Sequence, residues 1–556
     1  MYSKPSTQIV ARVLAEQGVR DAIISPGSRN APLILALDEE RSIRKHVVID
    51  ERSAAFIALG MAQVSSLPTV LCCTSGTALL NYAPAVAEAY YQGLPLIIIS
   101  ADRPQEWIDQ DDSQTLRQFE ALRNYVKASY DIRDFCDDEQ TMAWYANRTA
   151  NDAFLTATGG RPGPVHINMH FSAPLTVQGA QVAPQRLVHD VESDPALNPH
   201  VMKGLVDSVK DRKILVVIGQ HRPSNRLNRA VAVLSHIPNV TVWAESIANI
   251  HTPDIVDCID RTLLVVDKED PKYRPDLVIS FGGALVSRHA KEYLRGLKDL
   301  EHWCIGYRRD RLTDPFTHLT KIIEISPEAF LPHFAHLLCR CHPKGGYNQL
   351  WQEAYIRGAN RHREKLEKAP WSALRAYENI LSRVPRRYNL QLSNGTAIRY
   401  AQLFDCKDIH ASYCNRGVSG IDGSTSTAIG ASLLYPHPTL LISGDMSFAY
   451  DIGALATSFI PADFKAIVIN NAGGEIFRFI RTTSALPSRE EYFSVDPMMP
   501  LQQLAEAYGF DYYEAASEKA LRNILPRFLA DSLSPAILEV KVPEDASAKT
   551  LIDYFK

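Results

Sequence analysis

What the 556-residue chain lacks narrows it first. No Cys-x-x-Cys pair occurs among its nine cysteines, Cys72, Cys73, Cys136, Cys258, Cys304, Cys339, Cys341, Cys406 and Cys414, so neither structural zinc nor a disulfide framework is expected. No apolar run approaches the ~20 residues that a membrane-spanning helix needs; "GLPLIIISA" and "ILVVIG" are among the longest. The start, "MYSKPSTQIVARVLAEQGVRDAII", shows no apolar signal region and no small-residue cleavage site, and a cytoplasmic protein is expected. Charge is nearly balanced, 59 Lys and Arg against 63 Asp and Glu, which excludes a general attraction to nucleic acid or to a membrane surface. Low-complexity tracts and short repeats are also missing.

What is present is alternation. Helix-period and strand-like segments follow one another: "TQIVARVLAEQG", "DAIIS", "APLILALDEE", "KHVVID", "RSAAFIALGMAQVS", "TVLCCTS", "ALLNYAPAVAEAYYQ", "PLIIISAD" and, further on, "GPVHINMH". Such alternation predicts a doubly wound α/β sheet. The stretch "TVQGAQVAPQRLVHDVESDPALNPH" is polar and aperiodic and reads as a linker. A second series carries the strands "KILVVIGQ", "NVTVWAES", "DLVISFGG", "HWCIGY" and "KIIEIS"; after the charged helix "WQEAYIRGANRHREKLEKAPW", a third runs from "YNLQLSN" to "PAILEVKV". The expectation is three α/β domains with doubly wound parallel sheets, at residues 1–180, 190–345 and 370–556.

In open α/β sheets ligands bind beyond the carboxyl ends of the strands, so the residues that end each strand are the candidates. The first strand runs into "SPGSRNAP", where Ser28 and Arg29 in a Gly-containing loop suit an anion. The second ends in "DER", with Glu51 opening a helix; in that position it also reads as a charge stabilising the helix dipole. The third ends in the hydroxyl-rich turn "TSGTA", and the fourth in a loop bearing Arg103, Ser113, Gln114 and Arg117. In the third series "LSNGTAIR" offers Asn394, Thr396 and Arg399, and "YCNRGVSGIDG" offers Arg416 and a Gly-rich turn around Ile421.

Two further strand ends stand out: "LLISGDMSFAYDIG" stops at Asp445 and "FKAIVINNAGGEIF" at Asn470 and Asn471. Either alone reads as a turn. Between Asp445 and Asn471 lie 25 residues, room for one helix, beginning near Phe448, and one strand. A right-handed βαβ crossover would set the two polar ends side by side. A carboxylate, an amide oxygen and backbone carbonyls form a hard oxygen set suited to Mg²⁺ and a diphosphate.

This arrangement resembles the cofactor motif of the thiamine-diphosphate enzymes, a Gly-Asp-Gly followed about two dozen residues later by Asn-Asn. It stands here as Gly444-Asp445-Met446 and Asn470-Asn471; Met446 departs from the usual Gly, so the backbone there must avoid conformations reserved for glycine. "SPGSRNAPL", "DERSAAFIALG", "TSGTA", "ADRP", "NRGVSGIDG" and "NNAGGEIF" are together similar to the branch of that family that serves menaquinone biosynthesis. The resemblance implies pyrimidine-binding, central and diphosphate-binding domains in that order, and a homodimer or homotetramer with sites between subunits.

It also implies thiamine diphosphate as cofactor, Mg²⁺ as metal with Mn²⁺ as a substitute, and decarboxylative addition of 2-oxoglutarate to isochorismate. By the same resemblance, Asp445, Asn471 and Gly473 hold the metal. Glu51, Thr77, Asn394, Ile421, Gly444, Asp445, Met446, Ser447, Asn471, Ile476 and Phe477 contact the cofactor, with Glu51 moving its proton and Ile421 wedging its bend. Ser28, Arg29, Arg103, Ser113, Gln114, Arg117, Arg399 and Arg416 bind the dicarboxylate substrates; Glu51, Arg29, Arg103, Gln114, Arg399 and Arg416 are the implied catalytic set. Gly395 stands where the family carries Ser, and the central-domain basic residue falls on either Arg288 or His289. Two other readings stay open: an acetohydroxyacid synthase or simple 2-oxoacid decarboxylase of the same family, and a nucleotide- or flavin-binding protein using "ISFGGALVS".

Overall fold

The computed structural model describes residues 4–133, 138–176, 182–191, 196–307 and 312–556; Cys136 and part of the expected linker lie outside them. Among the described residues seventeen strands form three sheets, parallel in every pairing. The first sheet takes β1 (Asp21–Ile24), β2 (Arg44–Val47), β3 (Thr69–Cys73), β4 (Leu96–Asp102), β5 (Ser129–Ile132) and β6 (Val165–His170) in the order β2-β1-β3-β4-β6-β5. The second takes β7 (Ile214–Ile218), β8 (Val240–Ala244), β9 (Leu277–Phe281), β10 (Glu301–Ile305) and β11 (Leu319–Ile323) in the order β11-β10-β9-β7-β8. The third takes β12 (Asn389–Leu392), β13 (Ala411–Cys414), β14 (Thr439–Gly444), β15 (Lys465–Asn470), β16 (Asp511–Ala515) and β17 (Ala536–Lys541) in the order β13-β12-β14-β15-β17-β16.

The central strands are continuous apolar runs because helices cover both faces: β3, β4, β7 and β8 are buried at every residue. Sheets one and three share one winding order, so the architecture repeats where the sequence does not. In each, the first reversal of the chain across the sheet opens a switch point, between β1 and β3 and between β12 and β14. Crevices at such switch points are where open α/β sheets hold ligands. Strands β5, β13 and β16, outside the expected set, all lie at sheet edges, where β5 and β16 are partly wetted and β13 is only four residues long.

Packing divides the chain into two compact units, one of Met1–Glu192, Gly417–Pro436 and Asp451–Pro461, the other of Ser193–Arg416, His437–Tyr450 and Ala462–Lys556. Two segments of the third series therefore pack with the first. Inside the first unit, helix Ser424–Leu434 lies against helix Glu51–Ser65 at backbone distance: a Cβ added at Gly430 would stand 1.9 Å from the Ile57 carbonyl oxygen, and one at Gly60 2.0 Å from that of Thr427. Alanine is worth ~1 kcal/mol more than glycine in a helix. Overpacking against unyielding backbone costs ~1–3 kcal/mol or more. Gly60→Ala is accordingly expected to lower the thermal midpoint in calorimetry; an unchanged or raised midpoint would contradict this helix contact.

Candidate active site

In the second unit, β14 and β15 are adjacent, with Gly444 beside Ile469 in register, so the polar groups that follow them meet. The helix after β14 begins at Asp445 itself and runs Asp445–Tyr450, rather than starting near Phe448, because the Asp445 carboxylate binds the N–H of Met446. That carboxylate is 3% exposed and accepts from Met446 N at 2.7 Å, Gly473 N at 2.9 Å and Asn471 N at 3.3 Å. Burial pushes its pKa up to about 6 against the pull of these N–H bonds, and the charge of Asp496 adds to the rise. Asn471 donates through Nδ2 to Glu475 at 2.9 Å, while its Oδ1 is buried without a hydrogen-bond partner. A buried carboxylate beside an orphaned amide oxygen fits a divalent cation. Three or more His, Cys, Asp or Glu side chains do not gather into a metal site among the described residues, so any cation here would complete its shell with carbonyl, phosphate or water oxygen.

Gly473 has φ 133°, and a Cβ there would meet the Ser494 carbonyl oxygen at 2.7 Å, so only glycine lets its N–H reach Asp445. Met446 is helical, with no positive φ, so a side chain at the family's glycine position brings no strain. Ser447 is buried on the same short helix. Ile476 and Phe477 open helix Ile476–Phe479, half-buried, with the Phe477 ring tilted on Phe493 at 5.6 Å.

Beyond β12, Asn394 Oδ1 accepts from Arg416 Nη1 at 3.0 Å. Arg399 bonds the Gly395 carbonyl, and its pKa is lowered by burial and by the facing Arg416. Arg416 Nε is buried and unpartnered. Two half-buried guanidinium groups that repel each other make a place for an anion. Gly395 has φ 91°, a conformation glycine adopts without steric cost. Arg288 is a surface ion pair with Glu292, its side chain 82% exposed, and His289 stacks on Phe555.

In the first unit, Asp50 caps helix Glu51–Ser65 by accepting from Arg52 N and Ser53 N, which leaves the half-buried Glu51 free of that task. Arg29 Nη1 bonds the Phe171 carbonyl at 2.9 Å, and Ser28 is exposed beside it. Arg103 bonds the Ser113 carbonyl at 2.7 Å and pairs with Asp112 at 2.8 Å, its Nε buried and unpartnered. Gln114 is exposed with φ 53°. Thr77, exposed, opens helix Thr77–Asn81 behind Gly76, whose N–H donates to the buried Gln118. Arg117 instead forms a surface pair with Asp109, with side chains 83% and 50% exposed, and is not drawn into this group. Ile421, 37% exposed, lies on the loop before helix Ser424–Leu434.

Sequence reasoning missed the residues that hold these groups. Glu475, fully buried with a pKa pushed to about 7 chiefly by desolvation, accepts from Asn471 Nδ2 and from Tyr400 OH at 2.7 Å. Glu245 receives Val286 N at 2.7 Å and Ser287 N at 2.6 Å. The signal available was an acid inside an otherwise apolar or glycine-rich stretch.

Comparison with known proteins bears on the same residues. Residues 6–121 match the family described as thiamine pyrophosphate enzyme, N-terminal TPP binding domain, and residues 394–540 match its C-terminal TPP binding domain. The chain is 39% identical to the 2-succinyl-5-enolpyruvyl-6-hydroxy-3-cyclohexene-1-carboxylate synthase of Porphyromonas gingivalis, over 99% of this chain and 97% of that protein. The synthase of the same name from Flavobacterium johnsoniae is 36% identical over 99% and 98%, and that from Desulfotalea psychrophila 34% identical over 98% and 99%.

Proposed function

Since the chain belongs to the 2-succinyl-5-enolpyruvyl-6-hydroxy-3-cyclohexene-1-carboxylate synthase family of thiamine-diphosphate enzymes, we propose that it is a transferase that decarboxylates 2-oxoglutarate and adds the remaining four-carbon unit to isochorismate. Thiamine diphosphate, when bound, supplies the electron sink for the carbanion chemistry. Glu51 would hold and pass the proton at the cofactor's pyrimidine ring. Asp445, Asn471 through Oδ1 and the Gly473 carbonyl would hold Mg²⁺, or Mn²⁺ in its place, with the diphosphate. We assign pyrimidine-binding, central and diphosphate-binding roles to residues 1–180, 190–345 and 370–556, in a homodimer or homotetramer. A cytoplasmic location accords with the absence, among the described residues, of any helix long and apolar enough to cross a membrane.

The observation that carries the substrate reading is the Arg399–Arg416 pair, half-buried and mutually repelling, with Arg416 Nε buried and unpartnered. Both substrates are dicarboxylates, and a guanidinium fork meets a carboxylate in two parallel bonds. Small monocarboxylate substrates, those of an acetohydroxyacid synthase, leave such a pair without purpose. Charge-assisted hydrogen bonds are worth ~1.5–3 kcal/mol. Arg399→Ala or Arg416→Ala is therefore expected to raise the KM for 2-oxoglutarate roughly 10- to 100-fold. CO₂ release from 2-oxoglutarate and from pyruvate, measured on the wild type and both variants, tests this; preference for pyruvate would overturn the substrate assignment.

A further inference from the structure

We propose that Glu88 is a positioning residue that sets the loop carrying Ile421, gripping it by backbone N–H groups. This rests on the functional reading above, in which Ile421 supports the bent cofactor. Glu88 lies on helix Ala83–Gln92 and is 3% exposed. Its carboxylate accepts from Gly417 N at 2.5 Å, Val418 N at 2.6 Å, Ser419 N at 3.4 Å and Gln92 Nε2 at 2.6 Å. Four N–H donors converge on one buried carboxylate, whose pKa burial raises against the pull of those bonds. Burying a charge without a partner is expensive unless hydrogen bonds satisfy it.

The approach is as close as backbone allows. A Cβ added at Gly417 would stand 2.6 Å from the Glu88 carbonyl oxygen and 2.9 Å from Oε1, so glycine at 417 is what admits the contact. At the far end of the loop a second buried acid does the same work: Asp451 accepts from Ser426 N at 2.6 Å and Ser426 Oγ at 2.8 Å, at the N-terminus of helix Ser424–Leu434. That helix is itself locked by the Gly60 and Gly430 contacts. The segment is thus fastened before and after Ile421, which is left 37% exposed. A branched apolar side chain held outward on a loop fixed at both ends has the rigidity a cofactor support requires. Glu88 touches neither cofactor nor substrate in this reading and acts through the loop.

The test pairs hydrogen exchange of the cofactor-free chain with calorimetric titration of thiamine diphosphate in Mg²⁺. Glu88→Gln keeps the shape but turns an N–H₂ toward the donors. Losing charge-assisted bonds is expected to speed amide exchange at residues 417–419 by at least about tenfold, with helix Glu51–Ser65 unchanged. The dissociation constant for thiamine diphosphate should rise about tenfold and kcat fall, while the KM for 2-oxoglutarate holds, a split that mere loss of stability would not give. Glu88→Asp, which keeps the charge, should recover part of both effects and carries the test alone if Glu88→Gln fails to fold. Wild-type exchange at 417–419 in the variants, or faster exchange with wild-type cofactor affinity, overturns the proposal. Failure of the unmutated chain to bind thiamine diphosphate would instead overturn the functional reading, because the exchange comparison still judges the anchor.

Discussion

Asp445→Ala is expected to weaken thiamine diphosphate binding in the presence of Mg²⁺ by at least about 100-fold, since changes merely behind a metal ligand already cost 10–100-fold. The effect should be specific to the metal-dependent part of binding. Burial raises the Asp445 pKa to about 6 from 3.8, so its ionised form opposes folding above the ordinary carboxylate range, and removing it relieves that cost. Against this, Met446, Asn471 and Gly473 N–H lose their acceptor. The two contributions have opposite sign, and the variant is expected to fold. Titrations with and without Mg²⁺ check this; full Mg²⁺-dependent affinity in Asp445→Ala would return Asp445 to the role of a turn residue.

Glu51→Gln should leave the cofactor bound, within a few-fold, and lower kcat by about 10²–10⁴, the usual contribution of a positioned proton-transfer group. The helix survives the change because Asp50, not Glu51, caps it through Arg52 N and Ser53 N. Single-turnover decarboxylation of 2-oxoglutarate by the loaded variant is the measurement. Decarboxylation at the wild-type rate would remove Glu51 from the proton step and leave it as a dipole-stabilising charge.

Which features were legible in the sequence follows from how local their cause is. Asp445 and Asn471 could be read because each ends a buried apolar strand, and a 25-residue spacing dictates a crossover that the β14–β15 pairing contains. The central strands were legible for the same reason, while β5, β13 and β16 were not, being edge strands of mixed polarity. Glu88 was invisible: its backbone donors lie 329 residues and more away, and an acid in an amphipathic helix reads as one more surface charge. Arg103 and Arg117 stand in one loop and look alike, yet one is half-buried with an unpartnered Nε and the other is spent on Asp109 at the surface. The placement of residues 417–436 with the first unit depends on Gly60 and Gly430, whose meaning appears only when the two helices touch.

The central claim is that this chain joins a 2-oxoacid to isochorismate on thiamine diphosphate. It is tested most directly by following 2-oxoglutarate consumption by the purified chain with thiamine diphosphate and Mg²⁺, with and without isochorismate. Consumption should depend on isochorismate and fall away when Mg²⁺ is chelated. Turnover of pyruvate in preference to 2-oxoglutarate, indifference to isochorismate, or a chain purified with bound flavin or nucleotide and unable to take up thiamine diphosphate would contradict it.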